Sequence, residues 1–587
     1  MKLVFDFEAN ALLEDVSVLH CMADHDLVTG VRQSFTPLKV EHGLRRLMQA
    51  DLVIGHNVIK YDLPVANKLY PWFAIDRAKV IDTLVLSRLI FSDLSDQDRS
   101  NRAKIDAKLY GSHSLKAWGQ RLGIHKGDYT GGFDEYSPEM LAYNEQDVEV
   151  TTRLYEMLIK HPAYSERASV LEHSVAHIVA QQERYGFTFD VAAAERLSGE
   201  LIVRRMTLEQ NLQDTFKPWV QDVGLFTPKV NNTLRGYVKG VPVMKTKTVE
   251  FNPGSRHHIA NRLKAMRDWK PIEFTSDGSA KIDETILLEL PYPEAKLISQ
   301  YLMVQKRIGM VCEGDGAWLK KARCGKIHGE MITNGAVTGR ATHKNPNIGQ
   351  VPSVGSEYGK ECRALFGPSK GRVQVGIDVS GLELRMLAHF MHRYDNGRYA
   401  TEVVTGDVHT ANQLAAGLET RDQAKTFIYA FLYGAGPQKI GSIVGKGAVH
   451  GKKLKDSFLR RTPALARLLF AIKDAARRGY LIGLDGRRVR VRSGHSAPNT
   501  LLQCAGALVC KEWMTLLDEA IIAWGWQDKC QQLAWVHDEL QFESDADIAD
   551  ELGKLAVACI AQAGENFKIK LPLTGEYKVG QNWCETH

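Results

Sequence analysis

"LAWVHDELQF", residues 533–542, places acids in the middle of an apolar run. Leu533, Trp535, Leu540 and Phe542 give it the character of a buried strand, yet His537, Asp538 and Glu539 stand in its middle. Unpaired carboxylates in an apolar setting cost several kcal/mol or give up their charge. Something cationic is therefore expected beside them. Side chains alternate along a strand, so Asp538 and Glu539 share a site most easily at a hairpin bend. A tight turn carrying two solvated acids is the bland alternative, and these three residues alone do not choose between the two.

Upstream, "VQVGID" (373–378) reads as a second strand ending on Asp378, followed by "VSGLELR", a turn into a helix. A carboxylate at a strand end points into a cleft rather than a core. Asp378 with Asp538 would bring acids from two strands to one place, and Mg²⁺ is usually held by one or two carboxylates plus substrate phosphates. "TRDQAKTFIYAFLYGAG" (420–436) reads as a helix closed by Gly434 and Gly436. Arg421, Lys425, Tyr429 and Tyr433 recur every fourth residue and form one stripe on it. Cations followed by aromatics suit a triphosphate, then a sugar and a base; a stripe mixing packing and solvated charge is the alternative.

A second set of acids lies near the start. In "FDFEA" (5–9) Asp6 and Glu8 are two apart and face the same side of a strand. Asp62 in "HNVIKYD" and Tyr143 with Asp147 in "YNEQD" follow, the last two sharing a helix face.

These stretches resemble a known family. "DVSGLELR" (378–385), "RDQAKTFIYAFLYGAG" (421–436) and "HDE" (537–539) are similar, in order and spacing, to motifs A, B and C of the family A, DNA polymerase I-like enzymes. "GAVTGRATHKNPNIGQVP" (335–352), "ECRALFG" (361–367), "GDVHT" (406–410) and "NTLLQCAGALVCK" (499–511) extend the likeness over nearly the whole chain, toward the replicative polymerases of short-tailed phages. The N-terminal acids resemble the three motifs of 3′→5′ exonucleases with an RNase H-like fold.

The resemblance implies an α/β and α+β multidomain chain. A 3′→5′ exonuclease domain would span 1–162. A thumb would span 163–315, with a short basic insertion at about 217–250. The palm would run 316–395, the fingers 396–498, and the second part of the palm 499–587. It implies two Mg²⁺ ions on Asp378 and Asp538, with the Val379 carbonyl as a further ligand and Glu539 beside them. Two more Mg²⁺ ions would sit on Asp6, Glu8, Asp62 and Asp147, with Tyr143 orienting the attacking water; Mn²⁺ can substitute. Arg421, His409 and Lys425 would hold the triphosphate, Lys425 as proton donor to the leaving group. Tyr433 would guard the templating position. Glu383 would be the ribose gate, and Tyr429 the position governing dideoxynucleotide acceptance. Arg363, Gln503, Asn499 and His537 would touch the primer end and minor groove, and Arg340 the nucleic-acid backbone. Ala430 departs from the family, which usually has glycine there; this bears on sugar and base discrimination rather than on the reaction.

The remaining sequence agrees. At 587 residues the chain should hold two to four domains. Its net charge of +6 is a mild sign of a polyanionic partner. Nine scattered cysteines without a Cys-x-x-Cys pair argue for reduced thiols and against structural zinc. "MKLVFDFEAN" runs straight into a strand with no signal peptide, and no apolar run approaches the ~18 residues of a membrane span. A cytoplasmic protein without a membrane partner is expected, in the host cytosol if phage-encoded. "KLVFDFEA" and "DLVIGHNVI" should be central strands of an α/β domain, "SPEMLAYNEQDVEVTTRLYEMLIK" a helix, and 217–270 an irregular basic stretch. Its lysines either track a duplex or are merely solvated.

The expected activity is template-directed extension of a primer 3′-OH with dNTPs on primer-template DNA, together with proofreading. With no 5′-nuclease domain before the exonuclease, replication is expected rather than repair. A replicative helicase-primase is admitted as a partner. Thioredoxin, which some phage relatives capture through a long thumb insertion, is left open because the insertion here is short. Two other functions fit the residues less well. An exonuclease with a non-catalytic DNA-binding C-terminal part leaves the acids at 378 and 538 unexplained. A non-catalytic nucleic-acid-binding subunit leaves both acid sets unexplained.

Overall fold

The computed structural model describes residues 1–100, 105–124, 129–275 and 277–587. The chain divides into two compact units, one of 1–188, 328–351 and 367–587, the other of 189–327 and 352–366. The helix Glu166–Tyr185 belongs with the first unit. The reason is what it buries. Its His173 accepts a hydrogen bond from the Asp82 backbone N–H at 2.8 Å. Its fully buried Glu172 takes the Lys511 ammonium at 2.5 Å and the Arg487 guanidinium at 2.6 Å. Removing one partner from such a buried set costs about 3–5 kcal/mol, so the helix is held where these cations are.

The first 160 residues of this unit build a five-stranded mixed sheet. Its order is Arg32–Phe35, Leu19–Asp26, Lys2–Ala9, Leu52–Gly55, Val80–Asp82. Lys2–Ala9 lies at the centre and is covered on both faces. Leu3, Phe5 and Phe7 pack with Val40, Leu44 and Leu47; Val4 on the other face packs with Val148 of the helix Pro138–Lys160. Alternation therefore turns Asp6 and Glu8 toward that helix. "DLVIGHNVI" is only half strand: it leaves the sheet after Gly55, through Asn57 at φ 66°.

The C-terminal part holds an antiparallel four-stranded sheet in the order Cys530–Val536, Glu539–Ser544, Val373–Val379, Gly575–Gly580. Val375, Ile377, Val379, Leu540 and Phe542 face a core shared with the helices Ala497–Ala523 and Ala549–Asn566. On the opposite face Gln374 donates to Gln541 at 2.6 Å. There Gly376 leaves no room for a side chain, since a Cβ would lie 2.4 Å from the Thr586 carbonyl. "LAWVHDELQF" is thus two strands of a hairpin rather than one. Val536 pairs with Glu539, leaving His537 and Asp538 as a two-residue loop. His537 is left-handed at φ 59°, as such a loop requires of its first residue.

The second unit contains the helices Val191–Thr215 and Pro293–Ile308, joined where Tyr301 donates to Glu209 at 3.1 Å. The stretch expected to be irregular contains an antiparallel hairpin, Trp219–Phe226 with Val243–Val249. The bulge between Asp222 and Gly224 and the exposed lysines of the second strand leave it without a regular alternation. Arg262 of the helix Arg256–Arg267 stacks 4.0 Å over the Trp219 ring and anchors its base.

Candidate active sites

In the C-terminal sheet Asp378 is paired in register with Glu539, and the Val379 N–H donates to the Asp538 carbonyl at 3.0 Å. The three carboxylates expected together are therefore contributed by one strand end and one hairpin bend. Burial comes first in what shifts the two aspartates, and neighbouring charge second. The Asp378 carboxyl is pushed up to about 7, by loss of surrounding water and then by the charges of Asp538 and Glu539. Asp538 is also raised, by burial and by the charge of Glu383, against relief from His537 and Arg340. Such a cluster stabilises any cation placed among it.

Glu539 differs from the two aspartates. It is buried, and its carboxylate accepts from Trp583 Nε1 at 2.5 Å and Gln541 Nε2 at 2.7 Å, with His587 Nδ1 at 3.0 Å. None of these three partners was singled out from sequence. Trp583 and His587 lie more than forty positions away, so only the folded chain joins them to the motif.

The helix Arg421–Leu432 begins with a Thr420–Gln423 capping box. Arg421 and Lys425 are exposed on its first turns, and Tyr429 is half-buried. Arg421 Nε donates to Asp407 at 2.8 Å, a carboxylate within "GDVHT" whose role the sequence did not reveal. His409 lies beside them, its pKa lowered by burial and then by Arg421 and Lys425. Its Nδ1 is buried without a hydrogen-bond partner among the described residues. The Tyr429 ring lies 6.5 Å from that of His409. Its hydroxyl is raised by burial and then by the charges of Glu383 and Asp538. Tyr433 caps the helix and donates to Glu383, which Arg340 also reaches at 3.4 Å.

Arg340, Glu383, His537 and Asp538 line one small cavity of about 30 Å³. Asn499 and Gln503 lie one turn apart at the start of the helix Ala497–Ala523, both half-buried. They are not among the residues lining that cavity. Arg363 is in the second unit, buried, with its Nε donating to the Pro352 carbonyl at 3.1 Å.

In the N-terminal sheet, carboxylate oxygens of Asp6, Glu8 and Asp147 all lie within 4.8 Å of one another, a spacing that one or two cations can bridge. Asp62 is not part of that close set. It is buried at the first turn of Asp62–Leu69, its carboxyl pushed up to about 7 by burial and by Asp82 and Asp147. Asn144, adjacent to Tyr143 and missed from sequence, donates to Asp6 at 2.8 Å. The Tyr143 ring packs 5.6 Å from Tyr129. Cys21 and Tyr61 flank the acids, and both are pushed up to about 12, chiefly by burial and then by neighbouring carboxylates, including those of Glu8 and Asp6.

The chain as a whole is similar to known proteins. The profile of DNA polymerase family A matches residues 232–585. A DNA-directed DNA polymerase of Enterobacteria phage T3 is 41% identical, and one of Escherichia phage T7 is 40% identical, each alignment spanning all of both chains. Among solved structures, the polymerase domain of Pol1 from M. smegmatis, in complex with a DNA primer-template and dNTP, superposes with a TM-score of 0.76. That match has 18% identity and covers all of this chain and 96% of the other.

Proposed function

The chain belongs to DNA polymerase family A and is a DNA-directed DNA polymerase, and from that premise we propose which of its residues do the work and that it also edits its product. Asp378, Asp538 and the Val379 carbonyl hold a pair of divalent cations, with Mg²⁺ the natural choice for oxygen ligands. The observation that carries this is the convergence of a strand end and a hairpin bend on one acidic point, with Asp378 in register with Glu539 and Val379 bonded to Asp538. When bound, such ions neutralise phosphate charge and lower the pKa of a primer hydroxyl.

The protein's own groups do the rest. Arg421, His409 and Lys425 grip the triphosphate, and the Asp407 partner of Arg421 is exchanged for phosphate oxygens on binding. Lys425 donates a proton to the departing pyrophosphate. Glu383, held by Tyr433 and Arg340, fills the space a 2′-hydroxyl needs. Tyr433 stands at the templating base. Asn499, Gln503, His537 and Arg363 touch the primer end and minor groove, where acceptors common to all base pairs permit a check of geometry without reading sequence. Arg340 contacts the backbone. Glu539 is held too firmly by Trp583, Gln541 and His587 to be a mobile ligand; it supports the sheet and charge beside the ions.

Asp6, Glu8 and Asp147, with Asp62 behind them, hold the cations of a 3′→5′ exonuclease, and Tyr143 orients the attacking water. The donor set fits, being three convergent carboxylates with Asn144 fixing Asp6. The hairpin lysines track the duplex, and the enzyme works in the host cytosol during replication, alongside a helicase-primase. Whether thioredoxin joins it is read by comparing product lengths with and without thioredoxin.

The test of the synthesis site is Asp378→Asn, assayed by extension of a primed template in Mg²⁺. Extension should fall by at least about a thousandfold, which is ~4 kcal/mol of transition-state stabilisation. Extension near the unaltered rate would sink the assignment.

A further inference from the structure

Asn334 is buried and lies outside both sets of carboxylates. It follows the strand Glu330–Ile332, which pairs antiparallel with Thr342–Lys344, so it opens the loop that leads to Arg340. A turn closes that loop. The Ala336 N–H donates to the Arg340 carbonyl at 3.1 Å, and the Gly339 N–H to the Ala336 carbonyl at 2.8 Å. Gly339 is left-handed at φ 79°, a conformation that favours glycine. The root of the loop has no slack, since a Cβ on Gly335 would lie 2.0 Å from Thr342 Oγ1.

The Asn334 side chain is held from two directions. Its Nδ2 donates to the Arg88 carbonyl at 3.0 Å, in the last turn of the helix Thr83–Ile90. Its Oδ1 accepts from Arg487 Nη1 at 3.4 Å. A carbonyl needs a donor and a guanidinium an acceptor, so one orientation of the amide alone satisfies both. An aspartate could not make the first bond, and a leucine could make neither. Arg487 is itself fixed. Its Nε donates to Asp485 at 2.8 Å, its Nη2 meets the same carboxylate at 2.6 Å, and its Nη1 meets Glu172 at 2.6 Å. All three are buried, and buried charges stay with their partners. The turn sits on this guanidinium: a Cβ on Gly339 would lie 3.2 Å from Arg487 Nη1 and 3.3 Å from Asn334 Oδ1.

The next residue is Arg340. Its Nη2 donates to Glu383 at 3.4 Å, close to the longest separation at which such a bond holds. A shift of a few tenths of an ångström at the turn is therefore enough to break it. Arg340 and Glu383 are both half-buried and both line the cavity that His537 and Asp538 share. Tyr433 holds Glu383 from the helix Arg421–Leu432, and Arg340 holds it from the hairpin. The hairpin's grip is the weaker of the two, and it depends on where the turn is seated.

We propose that Asn334 is a positioning residue for the synthesis reaction: it seats the Ala336–Arg340 turn on Arg487 and so holds Arg340 where Glu383 can exclude a 2′-hydroxyl. This rests on the reading of Glu383 as the ribose gate. The experiment measures kcat/KM for insertion of one dNTP and of the matching rNTP, on a primed template in Mg²⁺. It compares the unaltered chain with Asn334→Ala, Arg340→Ala and the double variant, each checked for folding by circular dichroism. Asn334→Ala should lower the dNTP value by roughly tenfold, a size usual for coupling within one hydrogen-bonded network. The rNTP value should fall less, so the preference for the deoxy sugar narrows. In the Arg340→Ala background the same change should narrow it no further, because its route to Glu383 is gone. If Asn334→Ala does not fold, Asn334→Asp is read in the same way, since it keeps the acceptor for Arg487 and loses the donor to the Arg88 carbonyl. Equal narrowing in both backgrounds overturns the proposal, because Asn334 would then act by general support of the fold. So does a preference left intact by a folded Asn334 variant. Glu383→Ala, measured alongside, tells the two failures apart. Equal losses for both sugars would end the gate reading and the proposal with it, whereas a loss greater for dNTPs leaves the gate standing whatever Asn334 does.

Discussion

Asp62 and Glu383 show how much a single carboxyl can report. Unfolded, Asp62 titrates near its ordinary 3.8; folded, near 7. Between those values the folded chain keeps a proton that the unfolded chain has lost. The stabilisation is thus complete below the lower pKa and is lost as pH rises to about 7. Asp62→Asn removes this dependence. In EDTA, the variant should melt above the unaltered protein at pH 8 and close to it at pH 4, read by thermal unfolding at both. A variant that gained nothing at pH 8 would show that Asp62 is not held neutral by its surroundings. Glu383 makes a different point. It accepts from both Tyr433 and Arg340, so Glu383→Ala opens space and releases two side chains at once. Use of dNTPs should fall by about ten- to a hundredfold in kcat/KM, with rNTPs less affected, as for other pockets that lose one shape-defining group. Equal losses for both sugars would remove it as a ribose gate. The positions of Asp6, Glu8, Asp378 and Asp538 were legible because period and strand ends are local properties. Asn144, 138 residues from Asp6, and Trp583 beside Glu539 were not, because nothing local marks their partners.

At the scale of elements, the two hairpins were the hardest features to read. An apolar run interrupted by acids is compatible with one strand or two, and only the left-handed His537 makes the bend; a non-glycine residue there gives no warning in sequence. Trp535 Nε1 donates to the His537 carbonyl at 2.9 Å and pins the loop. The second hairpin was obscured by its charge. Its lysines stand on a surface that also exposes Val220, Val223 and Leu225, so neither face reads as inward. Lys245 lies 4.1 Å over the Phe226 ring and serves both packing and charge. Replacing Lys239, Lys245 and Lys247 with glutamine should reduce the salt slope of duplex binding by about 0.9 for each phosphate left without its lysine. Lys239 and Lys247 alone should reproduce most of the change without loosening the strands. A slope indifferent to all three would leave them as solvated surface.

At the scale of the molecule, the reading of five successive domains meets a chain whose N-terminal sheet and C-terminal sheet fall in one compact unit. The link is legible only in three dimensions: Glu172, Asp485, Arg487 and Lys511 come from three distant stretches and meet in the interior. Shared packing raises the question of whether the two carboxylate sites are chemically independent. Asp6 is fixed by Asn144, while Glu539 is fixed by Trp583, Gln541 and His587. The double variant Asp6→Ala with Glu8→Ala removes two of the three close carboxylates from the N-terminal site and leaves Asp378 and Asp538 in the sequence. Degradation of a single strand should therefore fall by about a thousandfold or more, while extension of a matched primer proceeds at the unaltered rate. The decisive measurement follows both activities on one labelled primer-template, with and without dNTPs. Loss of extension together with degradation would mean that the cations of the two sites are bound cooperatively through the shared core, and the division of labour drawn from the two acid sets would have to be abandoned.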